Sequence, residues 1–359
     1  MFFSNSTKTI GIMGATGAQG GATVRAFNAL KENGNSEYSL RAITRDPESE
    51  KAKAITPLVD EVVKADGKDK DSMVEAFKGC YGVFIVSNFW EDMSAENEAL
   101  VLRTCKEALK EVKDVQHIVL SALEDTRVAI NKAENKDTWN IINEESDMYV
   151  PHFDAKGEVA AEYLDEGLPV TVFYTSAYYE NFIYFGMGPA RQSDTDPYAI
   201  TLPIEDVKLP MVAVADIGKA ACAILQDKSL IGKTVGIMSE ALSGKEIAET
   251  FTKVCGEEVV FNAVPWNVYA SFGFPGAEDI ANMFRYKVEN IDEFTAIRVP
   301  SDGMKKAMGG LISLESWVTE NKGAFQLEPK KEAAPAAAVS RGVEQPETVC
   351  CEGGGCNIM

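Results

Sequence analysis

The strongest constraint on what this chain can fold into lies near its start, in GIMGATGAQGGATV, residues 11–24. Gly14, Gly17 and Gly20 stand there as GxxGxxG. Glycine allows a sharp turn, and its missing side chain lets backbone approach a ligand or a neighbouring element closely. Before the glycines, TKTIGIM is apolar enough for a buried strand; after them a helical pattern runs from about Ala18 to Asn33. A strand, a glycine turn and a helix N-terminus with free N–H groups together receive a pyrophosphate. The bland alternative is a tight strand–helix turn without a ligand, and the flanking strand and helix weigh against it.

The same rhythm continues. YSLRAIT, VDEVVKAD, GVFIVS, QHIVLSA and LPVTVFY read as further strands. Helical patterns separate them: DSMVEAFKG, the stretch from Ser94 to Val112, and a helix that carries His152 and Lys156 to about Glu166, where Gly167 stops it. Short apolar strands alternating with helices predict an α/β fold, a Rossmann doubly wound parallel sheet over residues 1–176. Beyond Ser176 aromatics, prolines and glycines interrupt the rhythm, as in YYENFIYFGMGP and WNVYASFGFPGAED, with helical pieces VADIGKAACAILQD and SGKEIAETFTKVC between them. Residues 177–326 are expected to form a smaller C-terminal α/β part that covers the carboxyl ends of the strands, where ligands bind in such folds. From 327 to 359 there is no large apolar face, and a disordered tail is expected.

Composition removes several function classes. The net charge of −20 over 359 residues repels phosphate backbones, so direct nucleic-acid binding is not expected. No run approaches the roughly 20 apolar residues that cross a bilayer, and MFFSNSTKTI lacks the pattern of a signal peptide. Cys80, Cys105, Cys222 and Cys255 are scattered without metal-ligand spacing, which fits a reducing compartment.

The second strand ends in ITRDP. An NAD-selective domain usually places an acid there for the ribose hydroxyls. Here Thr44 and Arg45 follow, and a guanidinium pairs with a 2′-phosphate, so NADP is the expected cofactor. Asp46 is either a ribose acceptor or the start of a turn before Pro47. In HFDAKGE, His152 and Lys156 are four residues apart on one face of a helix that Pro151 helps to start. A short-chain reductase has tyrosine and lysine at that spacing. The phenol exchanges a proton with the substrate oxygen, and the ammonium lowers the phenol's pKa and grips the ribose. Here histidine stands in the first position.

GATGAQG, TRDP, VSNFWE, HFDAKGE and YYENF, in this order, resemble the NmrA-like family of atypical short-chain dehydrogenase/reductase proteins, and within it the NADP(H)-sensing HSCARG-type branch. The resemblance runs from about Lys8 to Asn321. It implies that Gly14, Ala15, Thr16, Gly17, Ala18 and Gln19, backed by Gly20, cradle the pyrophosphate and that Arg45 holds the 2′-phosphate. It also implies Asp66 beside the adenine, and Ser87, Asn88 and Phe89 along the cofactor. Lys156 would then reach the nicotinamide ribose, with Tyr178, Tyr179 and Asn181 closing over the nicotinamide. Two positions depart from the branch. Ser49 stands where a second basic residue is usual, with Lys51 or Lys53 as substitutes, and Leu100 stands where a lysine is expected. Both losses imply weaker cofactor binding.

Each candidate has a second reading. His152 is an acid that titrates near neutrality, or a helix-start residue bonded to a neighbouring loop. Lys156 grips the ribose or is a solvated helix lysine. Ser121, ending the fifth strand, is a catalytic serine or a small structural residue. Tyr178 and Tyr179 supply a phenol or pack on the nicotinamide. Two functions compete: a dinucleotide sensor whose NADP(H) occupancy changes its affinity for protein partners, and an NADPH-dependent reductase of quinones or other small electrophiles, which need little protonic help. The histidine-for-tyrosine replacement places the sensor first. A homodimer is compatible with either, and no metal is expected.

The chain ends in CCEGGGCNIM. Cys356 is fourth from the end, Ile358 is aliphatic and Met359 is terminal, the pattern of a farnesylation signal. An inconsequential or redox-sensitive exposed cysteine is the alternative. One prenyl chain holds a protein only marginally. Glu344, Glu347 and Glu352 outnumber Arg341 nearby, so Cys350 and Cys351 are the expected second signal, as palmitoylation sites. The expectation is a cytoplasmic eukaryotic protein with a membrane-associated share. Intact mass of the native protein should show a farnesyl group and no Met359, and Cys356→Ser should be wholly cytosolic; Met359 retained without lipid contradicts this.

Overall fold

The computed structural model describes residues 7–34 and 37–329. The tail with Cys350, Cys351 and Cys356 lies outside the described residues. In chain order the strands are β1 (Lys8–Met13), β2 (Tyr38–Thr44), β3 (Glu61–Lys64), β4 (Gly82–Ile85), β5 (His117–Ala122), β6 (Val170–Tyr174), β7 (Ala177–Tyr178), β8 (Tyr198–Leu202), β9 (Leu209–Val212), β10 (Thr234–Gly236), β11 (Glu240–Leu242) and β12 (Val259–Ala263). The helices that position the site are α1 (Ala18–Glu32), α2 (Glu50–Ile55), α3 (Lys70–Phe77), α4 (Ala95–Val112), α5 (Arg127–Ile130), α6 (Pro151–Asp165), α7 (Asn181–Tyr184), α8 (Val214–Gln226), α9 (Gly244–Cys255), α10 (Trp266–Ala270) and α11 (Ala277–Glu289).

A seven-stranded parallel sheet runs β10-β6-β5-β4-β1-β2-β3. Its central strands are short and apolar because both faces are covered; β4 and β5 are buried along their whole length. On one face α1 and α8 pack over Ile10, Ile12, Phe84 and Val119. On the other, α3, α4 and α6 enclose Phe77, Leu102, Tyr163 and Val172. Local chemistry sets the helix ends. Ser94 caps α4 by accepting from Asn97 N, Ser243 and Glu246 form a reciprocal cap on α9, and Gly167 follows α6 with φ +70°.

The first six strands of the sheet are those expected from the sequence. The division at residue 176 does not hold for the sheet, because β10 adds a seventh parallel strand beside β6 and α8 covers β4 and β5. The reason is α8's apolar face, which carries Ile217, Ala221, Ile224 and Leu225, all buried against the sheet's own core. The rest of the C-terminal part holds the small sheets β11-β9-β7 and β12-β8 and a separate aromatic core that includes Phe153, Tyr179, Phe251, Tyr269, Phe284 and Trp317. Among the described residues no helix is long and apolar enough to cross a membrane.

The crossing of α1 and α8 is very close: a Cβ on Gly218 would lie 2.3 Å from the carbonyl carbon and oxygen of Ala22. Helices this near cannot take even one methyl group without separating. Gly218→Ala should therefore lower stability by at least about 1–3 kcal/mol, the usual cost of overpacking. Urea unfolding measures it, and an unchanged midpoint contradicts the packing described.

Candidate functional site

At the carboxyl ends of the parallel strands lies a cavity of about 1050 Å³. Its floor is the glycine turn. Gly14 leaves β1 with φ +66°, and a Cβ on Gly20 would lie 2.2 Å from Gly14 O, so the first turn of α1 can sit directly on the strand end only without that side chain. Gly17 caps α1 with no side chain, the first turn holds no acid, and Thr16, Gly17, Ala18 and Gln19 line the cavity. The helix's free N–H groups thus face an open, uncontested space that fits a pyrophosphate. Ala15 is not part of that lining; its methyl is wholly buried in the core beneath.

At one end of the cavity stand Arg45, Lys51, Asp66 and Lys68. The Arg45 guanidinium is bound to Glu91 at 2.5 Å, with both side chains about half exposed. Asp66 Oδ1 accepts from Lys68 N at 2.9 Å. Asp46 accepts from Glu48 N and so makes the turn, away from the cavity lining. Ser49 caps α2. Of its two possible substitutes, Lys51 lines the cavity, whereas Lys53 pairs with Glu50. Leu100 is exposed, and the residues that α4 turns to the cavity are Asn97, Glu98 and Val101.

Midway, Ser87, Asn88 and Phe89 line the wall, and Ser87 Oγ donates to Glu98 Oε1 at 2.7 Å. Glu98 is buried and ion-paired with Lys156, whose Nζ also donates to His152 O at 3.3 Å. Lys156 is therefore neither solvated nor unpaired. Glu98 escaped the motif reading, yet one signal existed: Glu98, Leu102 and Cys105 share a helical stripe, so the acid interrupts an apolar face.

At the far end His152 lies among Phe89, Trp90 and Phe153, with ring centroids 4.8–5.7 Å apart. Its Nδ1 meets Asp279 Oδ1 at 2.7 Å, and both side chains are buried. An aspartate on Nδ1 fixes the imidazole's tautomer and orientation, leaving Nε2 for exchange of a proton. Neither sequence reading of His152 named this partner, which comes from α11 far along the chain. Asp279 Oδ2 has no hydrogen-bond partner among the described residues.

Tyr178 and Asn181 line the same end. Gln19 bridges two strand ends: Ser121 Oγ donates to Gln19 Oε1 and Gln19 Nε2 donates to the phenol Oη of Tyr178, each at 2.7 Å. Burial raises the Tyr178 pKa, so its phenol stays protonated at neutral pH. Tyr179 does not belong with it. Its ring is wholly buried against Trp317 and its hydroxyl donates to Glu240, because successive residues of β7 and its continuation point to opposite sides. Beyond Tyr178 the cavity continues between Met187, Leu202, Leu209, Met211, Ile280, Met283, Phe284 and Lys287. No contiguous motif marks this chamber.

The Glu98–Lys156 pair is a sharp test of the site's integrity. Glu98→Gln leaves a buried ammonium without its counterion and should cost about 3–5 kcal/mol of stability. Adding Lys156→Met should recover most of that loss. A single substitution that leaves thermal unfolding unchanged contradicts a buried pair.

Known proteins share this architecture. The NmrA-like family domain-containing oxidoreductase ptmS of Penicillium ochrochloron is 27% identical over 322 residues, 84% of this chain and 90% of the relative. With notA′ of Aspergillus versicolor, a protein of the same description, identity is 39% over 128 residues, and the match spans only 34% of either chain. Among solved structures, NmrA, a negative transcriptional regulator, superposes with a TM-score of 0.71 at 19% identity, covering 90% of this chain and 99% of that one. The same protein in complex with NADP is similar too, with a TM-score of 0.68. The NADPH-dependent quinone oxidoreductase QOR2 of Escherichia coli gives 0.63 at 19% identity, covering 87% and 99%. At these identities the structural likeness is one of fold. It does not single out the HSCARG-type branch. The family model described as NmrA-like matches residues 6–309, most of the chain from the first strand onward, and with the sheet order and glycine turn found here this chain belongs to the NmrA-like family.

Proposed function

We propose that the protein is an NADPH-dependent reductase of small, flat, apolar electron acceptors such as quinones and unsaturated carbonyl compounds. The observation that carries this reading is the buried His152–Asp279 pair beside an apolar chamber that extends past the dinucleotide cradle. A bound NADPH supplies the hydride. The N-terminus of α1 would hold the pyrophosphate, and Arg45 would exchange Glu91 for the 2′-phosphate. Lys156, kept in place by Glu98, would donate to the ribose. Asp279 holds the Nδ1 proton of His152; the ring first takes a second proton from solvent at Nε2, and this imidazolium gives that proton to the acceptor oxygen as negative charge develops there, returning to the neutral ring. Phe89, Trp90 and Phe153 pack around the ring and hold its orientation. Histidine with a carboxylate thus takes over the task of the missing tyrosine.

The Arg45–Glu91 contact favours a second reading, the dinucleotide sensor of the HSCARG-type branch. Arg45, if drawn to a 2′-phosphate, would release Glu91 and with it the turn at 89–91, a change that a partner protein could read.

One experiment separates the two. Calorimetry with NADPH and NADH is followed by NADPH consumption across quinones, enones and aldehydes. NADPH should bind more tightly than NADH, Arg45→Ala should remove about 1.5–3 kcal/mol of that preference, and consumption should depend on the acceptor. Tight binding with no consumption by any acceptor selects the sensor, and equal affinities for the two cofactors remove Arg45 from its role.

A further inference from the structure

One charged residue of the cavity has no task in that scheme. Lys287 lies on α11 eight residues beyond Asp279, but its side chain folds back along the helix: its ammonium sits 5.6 Å from the Phe153 ring centroid, and that ring is 4.8 Å from the ring of His152. It lines the cavity and is only 3% exposed. Phenyl rings surround its ammonium, with Phe153, Phe284 and Phe294 centroids 5.4–5.6 Å away. Its hydrogen-bond acceptor among the described residues is the sulfur of Met283, at 3.2 Å. The acid nearest in charge, Glu124, is already committed: both its oxygens bind the buried guanidinium of Arg298, which further donates to Thr175 O and Phe294 O.

A buried ammonium without a counterion costs several kcal/mol, and a methionine would fill the same space without that cost. The position is therefore one where an incoming anion restores what the fold withholds. We propose that Lys287 anchors a carboxylate on a compact, flat, apolar substrate whose reducible end lies at His152. The inference rests on the reading of this cavity as a reductase site. Ile280, Met283 and Phe284 of the same helix line the cavity around that ammonium, so the body of the substrate is apolar. Burial, reinforced by Arg298, lowers the amine's pKa to about 7. A bound carboxylate favours the charged form, so above about pH 7 binding must take up a proton and the affinity for the acid should fall with rising pH.

The test uses the full chain with NADP and two ligands: a naphthoquinone bearing a carboxyethyl side chain, and its methyl ester. By calorimetry near pH 6 the acid should bind at least tenfold more tightly than the ester. Lys287→Met should abolish that difference and leave the ester's affinity unchanged, and the preference in the native protein should decline above about pH 7. Equal binding of acid and ester to the native protein overturns the anchor, as does a preference that survives Lys287→Met. With NADPH instead of NADP, the same ligands separate the two readings. Discrimination in binding without NADPH consumption leaves the anchor standing and removes the reductase; consumption indifferent to the carboxylate, with equal binding, does the reverse.

Discussion

Within five residues of α6 the chain buries three ionisable side chains, His152, Asp154 and Lys156, and each must find its partner in a different part of the fold. Asp154 accepts from Thr126 N and Oγ1 in the turn after β5, and from Tyr149 N and Val150 N ahead of its own helix. Lys156 is paired with Glu98 of α4, and His152 with Asp279 of α11. Any one of these groups left alone would cost more than a typical hydrogen bond contributes. The helix is thereby fastened to the sheet's edge, to its neighbouring helix and to the C-terminal part at once. The residues that would do chemistry are the same ones that join the halves of the molecule. Gly157 belongs to this constraint, since a Cβ there would lie 2.2 Å from Asp125 N.

The two ends of the cavity differ in how firmly they are held. Arg45 and Glu91 are about half exposed, and such a surface pair contributes about 0–1 kcal/mol. A phosphate can displace Glu91 at little cost. The buried pairs at the other end cannot be exchanged so readily. On the proposed reading, cofactor entry would be matched to a loose contact, and positioning of the reacting atoms to rigid ones.

What the sequence made legible follows period and local chemistry. The six strands from β1 to β6, the glycine turn and the helix stops at Asn33 and Gly167 depend on neighbours in sequence, and the residues declare them. The seventh strand was hidden because three residues, Thr234–Gly236, carry no periodicity of their own and become a strand only beside β6. Motif order brought Arg45, Ser87, Lys156 and Tyr178 to one cavity, but it also swept in Ala15, whose methyl the glycine turn places in the core, and Tyr179, which strand alternation turns inward. Glu98 showed only as an acid interrupting an apolar helical stripe, and Asp279 and Lys287 were not legible at all, since what defines each is a partner, or the lack of one among the described residues, set by tertiary packing.

The account turns on the claim that Asp279 makes His152 an acid. Asp279→Asn keeps size and shape yet replaces the group that holds the Nδ1 proton. The direct measurement is the single-turnover rate of NADPH oxidation by an enone, alongside NADPH affinity, in this variant and the native protein. The account predicts a rate lower by about 10²–10⁴-fold, the range expected for loss of general acid catalysis, with NADPH affinity unchanged. Equal rates in the two proteins would contradict it.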